Sequence, residues 1–157
     1  MKSTKITLLI FLISLMYVPF DLQAQMTDTK ILGLEEAQRI AIAAHERALQ
    51  DNWNVVIAIV DAGGHLVYLK RMDGTQLGSI DIAIQKATTS LFYKRPTKAF
   101  QDGVEGGNTG ILNLPDLLPF EGGLPIEYDG NIIGAIGVSG VTAQQDGIIA
   151  AAGLEAL

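Results

Sequence analysis

The chain predicts a single α+β domain built on an antiparallel sheet, and three observations carry that expectation. Two apolar runs each meet a glycine-containing turn and return at once, over residues 54–71 and 122–139. Such turns join neighbouring antiparallel strands. Three further segments, 34–52, 79–93 and 142–157, carry helical periodicity or a helix-start signal. The resulting order of helix, hairpin, helix, loop, hairpin, helix argues for α+β, and no internal repeat or interdomain linker divides it.

The elements follow in chain order. Lys2 and Lys5 precede an almost wholly apolar stretch at 6–20, and Ala24 supplies a small residue before Gln25. Residues 1–24 therefore read as a secretory signal peptide. The 15-residue run falls short of the roughly 20 that a spanning helix needs. Met26-Thr27-Asp28 offers an alternative, cytoplasmic start. Export predicts a mature periplasmic or secreted domain of residues 25–157, long enough for one core. Leu34, Ala37, Ala41, Ala44 and Ala48 then mark the first helix. Residues 54–61 form a buried strand, Gly63-Gly64 its turn and 65–71 the return strand. Strict alternation places His65, Val67, Leu69 and Arg71 on one face, with Leu66, Tyr68 and Lys70 on the other.

Ser79 is the expected cap of a helix to about Tyr93, which Pro96 prevents from continuing. Residues 101–121, punctuated by glycine and proline, read as a long functional or mobile loop. An edge strand begins at Gly122-Gly123, Asp129-Gly130 turns it, and 131–139 returns. Thr142 with Gln145 makes a capping box for a last helix to Leu157. That helix is rich in small apolar residues. It either meets a second copy of the chain or is buried within the domain.

Composition excludes several classes. Removing residues 1–24 takes Lys2, Lys5 and Asp21 from 11 basic and 17 acidic residues, leaving nine against sixteen, a net charge of −7. Sequence-independent grip on nucleic acid needs clustered Lys and Arg, and no polybasic segment serves an anionic membrane. With no cysteine, disulfides, thiolate metal sites and a Cys nucleophile are excluded. Ser139 lies in G-V-S-G rather than a nucleophile elbow. "GAIGVSG" ends a strand and lacks the βαβ context of a dinucleotide fingerprint.

Four ordered blocks carry a resemblance: "VDAGGHLVYLKRMDG", "SIDIAIQKA" with "RPT", "EGGLPI" and "IIGAIGVSGVTAQQD". They resemble the GlcG/HbpS-like family, also called the haem-degrading or DUF336 domain, which includes the C-terminal domain of PduO-type proteins. The resemblance spans residues 31–157 and implies a profilin-like antiparallel sheet flanked by helices, assembled as a homo-oligomer. It departs from the family pattern at Val141, where a second glycine is common, and at Gly147, where an acidic residue is common.

The resemblance implies an exported haem- or tetrapyrrole-binding protein linked to haem turnover. His45 and His65 are the candidate iron ligands, with Tyr68, Tyr93 and Met72 as alternatives. Lys86, Arg95 and Thr97 match family blocks and form a candidate anion site for propionates. For Lys86 and Arg95 a salt bridge to Asp73, Asp81 or Asp146 is the structural alternative. Gly122 and Gly123 would let backbone amides approach a ligand. A second reading is an enzyme acting on a small organic acid or sugar acid, with Lys86 and Arg95 binding it and Asp61 or Asp146 moving a proton. A third is an interaction module without a ligand.

Overall fold

The computed structural model describes residues 30–157; the signal-peptide expectation for 1–24 lies outside them. Helix α1 (Leu34–Gln50) buries Ala37, Ile40, Ala41, Ala44 and Ala48, a stripe set by the 3.6-residue repeat. It is followed by β1 (Val56–Asp61), β2 (Leu66–Arg71), α2 (Ser79–Tyr93), α3 (Lys98–Glu105) and a 3-10 turn at Thr109–Asn113. The chain closes with β3 (Gly123–Tyr128), β4 (Asn131–Ser139) and α4 (Ala143–Leu154). The strands pair in the order β2-β1-β4-β3, every pair antiparallel. The molecule is thus the expected α+β domain.

Alternation along the two central strands builds three layers. Ile57, Ile59, Ile136 and Val138 pack under α1 and α4. Val56, Ala58, Val60 and Ala135 point the other way, toward Ala83 and Ala87 of α2. That second face is made of small residues, so α2 comes close to the sheet. Gly123 and Gly137 are cross-strand partners. A Cβ on Gly137 would run into the Ala83 carbonyl, and one on Gly123 into the Lys86 carbonyl. The helix backbone rests on a glycine pair.

Four sequence expectations need correction. Residues 101–121 are not one irregular loop: α3 begins at Lys98, and the 3-10 turn follows. Ser79 does not cap α2; Gly78 holds that position without a side-chain cap, and Ser79 accepts a hydrogen bond from Ser139. Strict alternation in β2 fails because Ile59 faces Tyr68 while Val60 faces Leu66. Val67 is the extra residue of a bulge, so it joins Tyr68 against the α1 side, while Leu69 packs toward α2. The last helix stops at Leu154 rather than Leu157; Ile149, Ala150 and Gly153 are buried within the domain, while Ile148 stays 40% exposed. A Cβ on Gly153 would lie 3.0 Å from the Ile40 carbonyl of α1. Among the described residues no helix is long and apolar enough to cross a membrane.

Candidate functional site

Asp146 sits in the first turn of α4, placed there by the Thr142–Gln145 capping box, which is present in full. Lys86 projects from the middle of α2, on the other side of the sheet. The two meet past the start of edge strand β3, Lys86 Nζ donating to Asp146 Oδ2 at 2.7 Å. Each residue is only 2% exposed. Asp146 Oδ1 also accepts from the Val141 N–H at 3.3 Å.

Gly122 makes that meeting possible. Its φ of +125° is a conformation open mainly to glycine. A Cβ there would fall 2.9 Å from Lys86 Nζ and 2.8 Å from Asp146 Cβ. The role found for Gly122-Gly123 is therefore room for a helix and an ion pair.

Electrostatics at the pair are dominated by burial. Loss of water raises the Asp146 carboxyl to about 6, against the opposing pull of Lys86 and the backbone N–H groups of Val141 and Gly140. Burial likewise lowers Lys86, although Asp146 and Glu121 favour its charged form. Beside the pair lies a cavity of 370 Å³, lined with Ile82, Leu118, Phe120, Val141 and Ala143 as well as Gln76 and Ser139.

The other members of the expected anion site lie apart from this cavity. Thr97 is buried and clamps β3: its hydroxyl accepts from the Gly123 N–H at 2.9 Å, and its own N–H donates to the Gly123 carbonyl. Arg95 follows the helix end, donates to the Tyr93 carbonyl and lies over the Phe100 ring. It lines a separate groove with Leu124, Leu154 and Leu157. Lys86 and Arg95 therefore do not share a pocket; of the acidic partners weighed for Lys86, Asp146 is the one it meets.

His45 stands on the outward side of α1. Leu34, Gln38, Ile42, His45 and Leu49 follow one another at spacings of three or four, a single helix face. Ile42 and Leu49 are 49% and 53% exposed. Lys70 of β2, a contact the sequence did not suggest, donates to His45 Nδ1 at 3.2 Å. Burial, then the Lys70 charge, lowers the pKa of the imidazole, favouring the neutral form that metal ligation requires. His65 is exposed beside the β1–β2 turn. Asp61 accepts from the Gly63 and His65 N–H groups through Oδ1, so its carboxylate closes the hairpin. Tyr68 packs against the α1-side core, Met72 is buried in it, and Tyr93 donates to the Pro115 carbonyl.

The fold is thus a three-layer α+β domain with a buried cation–carboxylate pair at one sheet edge and a part-buried histidine near the other. The family model described as haem degrading protein HbpS-like matches residues 32–155, and the chain belongs to that family. It is 42% identical over 109 residues to Protein GlcG of Escherichia coli K12, covering 69% of this chain and 81% of that protein. The crystal structure of a double mutant of Streptomyces reticuli HbpS superposes with a TM-score of 0.77 at 32% identity, covering 85% of this chain and 92% of the other. The PduOC:heme complex gives 0.74 at 32% identity, covering 82% and 96%.

Proposed function

We propose that the protein is an exported, homo-oligomeric binder of haem or a related tetrapyrrole. One observation carries this reading: its fold and 32% identity are shared, over 96% of that chain, with a PduO C-terminal domain crystallised with haem. The residues of this chain fit such a group on the outward face of α1. There His45 would be the iron ligand, Ile42 and Leu49 would cover an apolar ring face, and Lys70 would meet a propionate. Lys70 donates to Nδ1, so ligation through Nε2 requires the ring hydrogen to move to Nδ1 and Lys70 to turn away. Bound haem would supply redox chemistry at iron; the protein's part is to bind and orient it.

Titration of the purified protein with haemin tests the reading. A saturable, stoichiometric Soret shift is expected. His45→Ala should weaken binding by more than about tenfold, while His65→Ala leaves it unchanged. A spectrum that stays that of free haemin rejects haem binding. Sedimentation of the same sample reads the oligomeric state, and an exported form should begin at Gln25 by mass spectrometry.

A further inference from the structure

We infer that the cavity over the Lys86–Asp146 pair binds a small monocarboxylic acid, whose oxygens meet the Lys86 ammonium while its short apolar body lies against Ile82, Leu118 and Phe120. An ammonium carries three protons. Lys86 makes one side-chain hydrogen bond among the described residues, to Asp146, although it is 2% exposed. Buried donors without acceptors are unfavourable, and Lys86 is one of the residues lining the cavity. An incoming oxygen acceptor relieves that deficit.

Size and charge narrow the ligand. The 370 Å³ cavity lies at the low end of the roughly 300–1,000 Å³ of small-molecule pockets, which suits a few-carbon acid. Five of its nine lining residues are apolar, and Lys86 is the single cation. One cation with Asp146 beside it disfavours a dianion such as phosphate. A monocarboxylate placed there sets two carboxylates on one ammonium, and like charges so close share a proton. The charged groups facing this point are Lys86 from α2, Asp146 from α4 and Glu121 just before β3. Each acts on the pair, and Glu121 adds further negative field. Binding is therefore accompanied by proton uptake, for which Asp146, already raised to about 6 by burial, is the receiving group.

This site is independent of the haem reading, and a Soret spectrum does not report on it. Calorimetric titration of the purified protein with acetate, butyrate and benzoate, repeated in buffers of different ionisation enthalpy, tests it. At least one acid should bind saturably, take up close to one proton, and weaken about tenfold per pH unit above about 6. Ala143→Phe fills the cavity while leaving the ion pair in place, and should abolish binding. Lys86→Met with Asp146→Leu replaces the pair by similar apolar volume and should abolish it too, with a cooperative melt showing that both variants fold. The inference fails if none of the three acids binds, if affinity is flat with pH, or if binding survives in either folded variant.

Discussion

At the scale of single residues, the Lys86–Asp146 pair is the feature with the largest consequences. Removing one partner strands a buried charge, so Lys86→Met alone should destabilise by about 3–5 kcal/mol, whereas Lys86→Met with Asp146→Leu should be near neutral. Chemical denaturation of the three proteins checks this. The pair also predicts a pH dependence. Asp146 titrates near 6 in the fold against 3.8 ordinarily, so the folded state holds its proton more tightly than the unfolded chain. Its contribution is full below 3.8 and is lost as pH rises through about 6. Relative to the double variant, the wild type should lose on the order of 1–3 kcal/mol across that window. Lys86 is lowered by burial, so its contribution runs oppositely and recovers as pH rises toward 10.5. A wild type that gains on the variant between pH 4 and about 6 contradicts the assignment. The residue types of this site were legible in the sequence, because Lys86, Gly122 and Asp146 stand in recognisable blocks. The pairing was open among three aspartates, since its partners lie 60 positions apart and only the tertiary fold brings them together. Grouping Lys86 with Arg95 neglected helix rise: Lys86 sits seven residues before the end of α2 at Tyr93, about 10 Å along its axis, and Arg95 lies beyond that end, past the left-handed Lys94.

At the scale of elements, glycine placement decides how closely the layers approach. The paired Gly123 and Gly137 let α2 rest on β3 and β4. Gly137→Ala would press a methyl group onto the Ala83 carbonyl and toward the Ala87 N–H. Both belong to backbone and cannot turn aside, so the loss should reach or exceed the upper end of the usual 1–3 kcal/mol for overpacking. A shift of the urea midpoint to lower concentration reads it, and an unchanged midpoint would mean that α2 is free to rise from the sheet. Thr142→Ala removes the hydroxyl half of the capping box and should cost about 1 kcal/mol. Because the same turn aims Asp146, carboxylate binding should weaken with it. Most elements were readable because their punctuation is local: two hairpin turns, a proline after α2 and the capping box. Helix α3 was not, because Gly103 interrupts its eight residues and Gly106 and Gly107 follow at once, giving the stretch the composition of a loop. The Val67 bulge was equally hidden, since one extra residue leaves the amino-acid pattern unchanged while resetting the faces.

At the scale of the whole molecule, the sheet order separates two sites. Lys70, the partner of His45, lies on edge strand β2, whereas Gly122 and the Lys86–Asp146 pair lie at edge strand β3, with β1 and β4 between. Apart from the sheet itself, helices α1 and α4, which carry His45 and Asp146 respectively, provide the main packed route between them. Coupling needs an element with two arrangements that both ligands bias. The interlocked small residues of α1 and α4, with Gly153 set against Ile40 and Ala44, leave little room for a second arrangement. Haemin binding and carboxylate binding should therefore be additive. The haemin dissociation constant should agree within about twofold between wild type and the Lys86→Met, Asp146→Leu variant, as expected for perturbations without shared partners. Saturating carboxylate should leave the haemin titration equally unmoved. By reciprocity, haemin must then leave carboxylate affinity unchanged, so either titration measures the same coupling. A shift beyond about threefold in both directions would mean that the α1–α4 contact has two packings, or that a second copy of the chain brings one subunit's His45 against another's cavity. The two are separable by diluting the protein: coupling through a neighbouring subunit disappears as the oligomer dissociates, while coupling through α1 and α4 persists in the monomer.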